Sequence, residues 1–242
     1  MRLSLALLLS AAAWAQHPEP PLPPPLRQAA LLINDFGNTA RYAAENAKLP
    51  APAPGEERVV FMGDSITDGW GRGPNRAPFF PGKPYVNRGI SGQTTAQMLL
   101  RFYPDVIALK PKAVLILAGT NDIGGNLGPV TLESIEENLM AMTDLARANN
   151  IKVVLASLTP VCDYHRPQTA TRPPEKINTL NRWIKEYTAT HHLTYLDYFS
   201  STVDDKGFFQ AAITDDGLHP NNKGYEIMAP LAQKAIDQAL GH

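Results

Sequence analysis

The 242-residue sequence has little of three features that would assign a protein to a particular class. It has a single cysteine, Cys162, so no disulfide can form within the chain, and we expect this residue to be a small buried hydrophobe. The 22 Lys and Arg residues are balanced by 23 Asp and Glu residues, which leaves no excess positive charge for binding nucleic acid. After residue 15, no apolar run approaches the roughly 20 residues that a membrane-spanning helix needs. We therefore expect neither a nucleic-acid partner nor a membrane span in the mature chain.

The first residues have the pattern of a secretory signal peptide. Arg2 supplies the positive charge, residues 3–13 form the apolar region, and Ala-Trp-Ala at residues 13–15 is a small-x-small cleavage site. The apolar run is too short to serve as a membrane anchor. We expect residues 1–15 to be removed and the protein to be secreted or periplasmic.

The remaining sequence divides into a proline-rich segment with a helical arm, residues 16–57, and one domain, residues 58–242. Residues 18–25, PEPPLPPP, are too rich in proline for a helix or a sheet and should form an extended spacer. Apolar residues recur at helical spacing within residues 26–49, which predicts an arm that is helical in part and packs on the domain. One α/β domain is usual for a chain of this length.

Short apolar runs alternate with helical patterns from residue 58 onward. The runs lie at residues 58–62, 85–90, 113–117, 151–158 and 193–198. The clearest helical pattern begins near residue 132 and ends near Arg147, with acidic residues near its start as the helix dipole favours, and another covers about residues 222–240. Because the runs are apolar throughout, they predict a parallel sheet covered by helices on both faces. The expected fold is a three-layer α/β/α sandwich with about five strands.

Residues suited to acyl transfer follow the first three strands and precede the last helix. Ser65 follows the first strand, Gly92 lies in the loop after the second, and Asn121 follows the third. Before the last helix, Asp216 lies three residues ahead of His219. Ligands of open parallel sheets bind beyond the carboxyl ends of the strands, so we expect these residues at one edge of the sheet. Together they offer a nucleophile, a base, a carboxylate to orient the base, and oxyanion donors.

Each of these residues also has an ordinary structural interpretation. Asp and Ser are favoured helix caps, so Asp64 and Ser65 could merely begin a helix. Asn121 with Asp122 is a common turn pair, and His219 could be a surface residue. The joint arrangement is much harder to obtain by chance than any one of its parts, which favours the chemical interpretation.

Four segments resemble the blocks of the GDSL lipase/esterase family, also called SGNH hydrolases, in the same order and at similar spacing. GDSITDG at residues 63–69 resembles the first block, and GISGQTT at residues 89–95 resembles the second. GTND at residues 119–122 is similar to the third block, and DGLHP at residues 216–220 to the last. The resemblance covers residues 58–240 and looks nearest to the branch of the platelet-activating factor acetylhydrolase catalytic subunits and their bacterial relatives. It implies a flavodoxin-like α/β/α fold.

The resemblance also implies a role for each residue. Ser65 would be the nucleophile, His219 the base, and Asp216 the carboxylate that holds the imidazole in the right tautomer. The backbone N–H groups of Ser65 and Gly92, with the Asn121 amide, would form the oxyanion hole. No G-x-S-x-G motif surrounds Ser65, so the nucleophile elbow of the α/β-hydrolases is excluded.

Asp215 is an alternative to Asp216 as the carboxylate partner of the base. The Asp-x-x-His spacing of the family favours Asp216 over Asp215. A residue that precedes proline is confined to extended conformations, so Pro220 should hold His219 on a stiff stretch of backbone.

Other residues near the predicted site have two possible roles. His165 and Arg166 follow the fourth strand and could border the site or lie in a solvated loop. Trp70, Phe79 and Phe80 could wall an acyl pocket or fill the core. The histidines outside the predicted site show no metal-ligand spacing.

These patterns lead to a specific functional hypothesis. We expect a secreted serine esterase that hydrolyses short-chain carboxylic esters through an acyl-enzyme, without a metal or another cofactor. The leading hypothesis for its substrate is an acetyl ester of a small molecule or carbohydrate. An acyltransferase that uses the same triad and a non-catalytic binding module are the alternatives, and the sequence does not determine the oligomeric state.

Overall fold

The structure, a computed structural model, describes residues 23–72 and 77–242. The predicted signal peptide, residues 1–15, and most of the proline-rich spacer lie outside the described residues. The expectation of an extended spacer is wrong for Pro24 and Pro25, which begin a helix, because proline at the first helical positions costs no hydrogen bond within the helix. Within the described ranges, no helix combines the length and the apolar content that crossing a bilayer requires.

Five parallel strands form the central sheet, as the sequence predicted. They are β1 (Val59–Gly63), β2 (Tyr85–Gly89), β3 (Ala113–Leu117), β4 (Lys152–Ala156) and β5 (Thr194–Leu196). Their spatial order is β2-β1-β3-β4-β5, and every residue of β1 and β3 is buried. A parallel sheet that is buried on both faces explains why these strands are continuous apolar runs in the sequence.

The last two strands are shorter than the apolar runs that predicted them, because side chains replace the ladder hydrogen bonds at their ends. After β4, the Leu158 N–H donates to Asn181 Oδ1 at 2.7 Å. After β5, Ser157 Oγ accepts hydrogen bonds from the N–H groups of Tyr198 and Phe199, each at 2.9 Å. These contacts end the pairing and turn the chain away from the sheet.

Helices cover both faces of the sheet. The described helices are α1 (Pro24–Asn34), α2 (Ala43–Lys48), α3 (Ser65–Asp68), α4 (Thr95–Asp105), α5 (Thr120–Ile123), α6 (Leu132–Ala148), α7 (Pro174–Thr190), α8 (Phe199–Thr202) and α9 (Asn222–Leu240), with 3-10 turns at Thr39–Tyr42, Ile107–Leu109 and Ala211–Ile213. Helices α4, α6 and α7 pack side by side on one face, whereas α9 packs against β3, β4 and β5 on the other. The three-layer α/β/α prediction is confirmed, including the long helices α6 and α9.

The strand order reverses beside β1, which is where a parallel sheet of this kind opens a crevice at its carboxyl edge. Gly63 at the end of β1 pairs in register with Gly89 of β2 and with Leu117 of β3. The Ile90 N–H also donates to the Gly63 carbonyl at 3.0 Å, which extends the pairing into the loop after β2. The loops after β1, β2 and β3 therefore begin at the same level of the sheet.

The aromatic residues that follow the first strand pack in the core or against it. Trp70 is 2% exposed, and its ring centroid lies 5.0 Å from that of Tyr225 in α9. The ring centroid of Phe61 in β1 lies 4.9 Å from that of Phe79 and 5.1 Å from that of Phe80. Packing in the core is therefore the correct interpretation for Trp70, whereas Phe79 and Phe80 pack against the core and remain partly exposed. Cys162 is buried, as expected.

The segment predicted to form a helical arm contacts the sheet and the loop after β2. Tyr42 is fully buried, and its hydroxyl donates to the Gly89 carbonyl at the end of β2. Gln93 Nε2 donates to the Gly37 carbonyl at 2.9 Å. The arm thus packs directly against the loop that contains Gly92.

Candidate active site

Ser65 lies at the first turn after β1, and its neighbour Asp64 caps that turn. Asp64 Oδ1 accepts a hydrogen bond from the Ile66 N–H at 2.9 Å, and Ser65 is the first residue of α3. The capping role that the sequence left open therefore belongs to Asp64. Ser65 Oγ instead lies 2.8 Å from His219 Nε2.

Asp64 is a buried carboxyl group beneath the serine. Its side chain is fully buried, and Oδ2 has no hydrogen-bond partner among the described residues. Burial disfavours the charged form and raises the pKa of Asp64 to about 6, although the hydrogen bond from the Ile66 N–H opposes this shift. The group beneath Ser65 is thus an acid whose charge is poorly solvated.

The imidazole of His219 lies between Ser65 and Asp216. Its Nδ1 is 2.7 Å from Asp216 Oδ2, and Asp216 Oδ1 accepts the backbone N–H groups of Leu218 at 3.0 Å and His219 at 2.8 Å. Burial would raise the pKa of Asp216, but the hydrogen bonds from His219 and Leu218 together lower it below its ordinary value. An ionised Asp216 favours the tautomer with the proton on Nδ1, which leaves Nε2 free to accept a proton from Ser65.

Asp215 has a different partner from Asp216. Its Oδ1 accepts a hydrogen bond from Asn221 Nδ2 at 3.1 Å, at the N-terminus of α9. The backbone at His219 is also held on both sides, because Thr214 Oγ1 donates to the His219 carbonyl at 2.8 Å and Thr214 forms an antiparallel bridge with Pro220. The contacts therefore place Asp216, and not Asp215, beside the imidazole.

The predicted oxyanion donors Gly92 and Asn121 lie next to each other. Asn121 is almost completely buried at the start of α5, and its Nδ2 donates to the Gln93 carbonyl at 3.0 Å. Gly92 has φ +81°, a conformation that L side chains rarely adopt, and its carbonyl accepts a hydrogen bond from Asn126 Nδ2 at 3.0 Å. The loops that carry this pair begin at the same level of the sheet as the turn that carries Ser65.

The loop after β4 borders the site through residues that the sequence did not single out. Arg172 Nη2 donates to Asn121 Oδ1 at 3.4 Å. Gln168 Nε2 donates to the Asp216 carbonyl at 3.1 Å. Nothing in the spacing or the local pattern pointed to these contacts, since the pairs are 51 and 48 residues apart.

His165 and Arg166, which the sequence offered as bordering residues, lie in the same loop. His165 is exposed, and its Nε2 lies 3.1 Å from the Ala211 carbonyl. A Cβ on Gly217 would come within 3.3 Å of the Arg166 carbonyl, so this part of the loop packs on the turn before His219 through its backbone. The sequence therefore indicated the loop after β4 correctly. The side chains of this loop that contact the predicted site residues are those of Gln168 and Arg172, not those of His165 and Arg166.

Arg101 joins the strand ends beneath the site. It is completely buried and donates to the Gly63 carbonyl at 3.1 Å, the Arg88 carbonyl at 2.8 Å and Gln93 Oε1 at 2.5 Å. Its charge is balanced by Asp105 Oδ2 at 3.1 Å from Nη1. One side chain thus fixes the ends of β1 and β2 relative to the loop that contains Gly92.

The titratable residues form no evident metal site in the part of the chain that the structure describes. No group of three or more His, Cys, Asp or Glu residues there is arranged to hold a metal ion. The polar contacts at the sheet edge instead link a hydroxyl, an imidazole and a carboxylate in series.

Comparison with known proteins identifies the family. The model of the GDSL-like Lipase/Acylhydrolase family matches residues 61–227. The crystal structure of a GDSL-like lipase from Bacteroides thetaiotaomicron is 41% identical, with a TM-score of 0.78 over 85% of this chain and 100% of that one.

Two named relatives are similar to this chain in sequence. An acetylxylan esterase of Xylanibacter ruminicola is 27% identical over 85% of this chain and 47% of its own length, so the chain spans about half of that relative. The alpha1 subunit of platelet-activating factor acetylhydrolase IB from Bos taurus is 25% identical over 80% of this chain and 81% of its own length. The chain therefore belongs to the GDSL-like lipase/acylhydrolase family, and it is a carboxylic ester hydrolase.

Proposed function

We propose that the chain is a secreted serine esterase that removes short acyl groups, acetyl above all, through an acyl-enzyme on Ser65. The observation that carries the proposal is the series of short contacts from Ser65 Oγ to His219 Nε2, 2.8 Å, and from His219 Nδ1 to Asp216 Oδ2, 2.7 Å. A hydroxyl within hydrogen-bond reach of a base that is itself oriented by a carboxylate is the arrangement of an activated nucleophile.

In the first half of the reaction, Ser65 Oγ attacks the carbonyl carbon of the ester while its proton passes to His219 Nε2. The oxygen of the tetrahedral intermediate becomes negative, and the N–H groups of Ser65 and Gly92 and the Asn121 amide stabilise it. Asp216 stabilises the imidazolium that forms. His219 then gives its proton to the leaving alcohol, and the acyl group remains as an ester on Ser65.

In the second half, water replaces the alcohol. His219 takes a proton from the water, which attacks the acyl-enzyme carbonyl, and the same donors stabilise the second oxyanion. The proton returns to Ser65 Oγ as the carboxylic acid leaves. In the proposed cycle, His219 accepts and returns every proton that is transferred.

The surroundings of Ser65 favour a small acyl group and a polar alcohol. Trp70 is packed in the core, so it is not available to line a pocket for a long acyl chain. The loops after β2 and β4 carry polar contacts, with Ser91 Oγ donating to Asp68 Oδ2 at 2.6 Å and Arg172 Nη2 donating to Asn121 Oδ1 at 3.4 Å. Together with the acetylxylan esterase among the relatives, this supports an acetylated carbohydrate as substrate. Export, proposed from the sequence pattern of residues 1–15, would bring the enzyme to such polymers.

The test compares esters that differ only in the acyl group, and then acetylated polymers. We expect kcat/KM for p-nitrophenyl esters to fall from acetate to butyrate to octanoate, and acetate to be released from acetylated xylan. Ser65→Ala should abolish both activities with an unchanged melting temperature. Rising activity with chain length would contradict the acyl preference. Transfer of most acetyl groups to an added sugar, in place of water, would favour the acyltransferase.

A further inference from the structure

The Asn121 side chain is held at both ends. Its Nδ2 donates to the Gln93 carbonyl at 3.0 Å, and its Oδ1 accepts from Arg172 Nη2 at 3.4 Å. If the amide were rotated by half a turn, its oxygen would face a carbonyl oxygen and its N–H groups would face a cation. Both contacts would be repulsive, so Gln93 and Arg172 together select one orientation. In that orientation one of the two hydrogens on Nδ2 remains for a ligand.

Arg172 also connects the two sides of the site. Its Nη1 donates to Gln168 Oε1 at 3.3 Å, and Gln168 Nε2 donates to the Asp216 carbonyl at 3.1 Å. A continuous chain of hydrogen bonds therefore runs from the Asn121 amide to the backbone of the residue that orients His219.

The charge on Arg172 is not neutralised by a direct ion pair. The guanidinium is half-buried, and within residues 23–72 and 77–242 no carboxylate lies within ion-pair distance of it. Asp64 and Asp216 are the carboxylates whose more distant charges act on it. A positive charge bonded to Oδ1 draws electrons from the amide, which makes the Nδ2 hydrogens stronger donors.

From these contacts we propose that Arg172 is a positioning residue for the oxyanion hole: it orients and polarises the Asn121 amide toward the negative oxygen of the transition state. The proposal rests on the proposed function, in which Asn121 stabilises that oxygen. Its effect should therefore appear in kcat, because the interaction strengthens only as charge develops.

Gly124 offers a way to move the guanidinium without removing it. A Cβ built on Gly124 would lie 2.7 Å from Arg172 Nη2 and 2.8 Å from Cζ, so the planar group packs directly on the glycine. Gly124 has an ordinary right-handed helical φ of -69°, which alanine also adopts. Gly124→Ala should therefore leave the backbone intact and displace the end of a flexible side chain.

The experiment measures kcat and KM for p-nitrophenyl acetate in single and double variants. We expect Arg172→Met to lower kcat about tenfold, less than the hundredfold or more for loss of an oxyanion donor itself, with KM changed less than twofold. Gly124→Ala should lower kcat in the parent protein but not in the Arg172→Met background. Arg182→Met, which removes an exposed arginine of α7, is the matched control and should leave kcat unchanged.

The decisive comparison uses Asn121→Ala as the background. If Arg172 acts through Asn121, Arg172→Met should have no further effect on kcat in that background. A full tenfold loss there, or a change confined to KM, would overturn the proposal, because Arg172 would then act on the substrate directly. Unchanged kcat in both Arg172→Met and Gly124→Ala would overturn it as well. Failure of the proposed function is distinguishable, since the parent protein would then show neither ester turnover nor fluorophosphonate labelling of Ser65.

Discussion

Asp64 is a buried carboxyl group whose replacement by asparagine should change how stability depends on pH. Its side chain is 0% exposed, Oδ1 caps α3 through the Ile66 N–H, and Oδ2 has no partner among the described residues. Asparagine has nearly the same shape and keeps an oxygen to accept the Ile66 N–H, but it cannot ionise. Asp64→Asn therefore removes the charge and leaves the cap.

The magnitude follows from the raised pKa. Burial is the main cause that moves the pKa of Asp64 from 3.8 to about 6. Between these two values the folded protein holds a proton that the unfolded chain has released, so the free energy of unfolding falls as pH rises. The contribution of Asp64 to the free energy of unfolding is fully present below pH 3.8. It falls between pH 3.8 and about 6 and is lost above that. At roughly 1.4 kcal/mol per pKa unit, the loss amounts to about 3 kcal/mol.

The assay is urea unfolding of the parent protein and of Asp64→Asn at pH 4, 5, 6 and 7. All other titrating groups are shared, so the difference in unfolding free energy between the two proteins isolates Asp64. We expect this difference to shift by about 2.5 kcal/mol in favour of Asp64→Asn between pH 4 and pH 7, because a small part of the loss has already occurred at pH 4. A difference that does not vary with pH would refute the reasoning, as would a shift in favour of the parent protein.

The remaining predictions concern the site. A fluorophosphonate should label Ser65 covalently, and labelling of a different serine would contradict its assignment as nucleophile. His219→Ala should lower kcat nearly as much as Ser65→Ala because triad members act as a unit. Asp216→Asn should lower kcat less, and Asp215→Asn least. A larger loss for Asp215→Asn than for Asp216→Asn would show that Asp215 is the functional carboxylate. Asn121→Ala should lower kcat about a hundredfold in protein that stays folded at the assay temperature, with a modest fall in melting temperature because the Gln93 carbonyl loses its buried donor. Asn121→Asp should be at least as poor in kcat because a carboxylate repels the oxyanion. A stable, active Asn121→Asp variant would instead show that Asn121 only shapes a turn.

The part of the structure that the sequence determined rests on local and periodic signals. The apolar runs predicted the strands best at the centre of the sheet, where β1 and β3 are buried at every position, whereas the edge strand β2 includes the polar residues Asn87 and Arg88. The residues alone left Asp215 and Asp216 open as the partner of His219, and the family's Asp-x-x-His spacing favoured Asp216, which the structure places beside the imidazole. The common level of the loops that carry Ser65, Gly92 and Asn121 followed from a general property of parallel sheets, whose strands end at a common edge.

Only the tertiary structure decided the contacts between segments that are far apart in the chain. Trp70 could have lined a pocket or filled the core, because burial of an aromatic ring is equally favourable in either place until its neighbours are known. Arg172 meets Asn121 across 51 residues, and Gln93 meets the Gly37 carbonyl across 56, with no pattern that marks either contact in advance. Such contacts depend on how helices and loops pack over the sheet, which no single segment of sequence encodes. Local motifs in the sequence thus indicated the chemistry of the site, whereas only the folded structure showed which side chains hold those motifs in place.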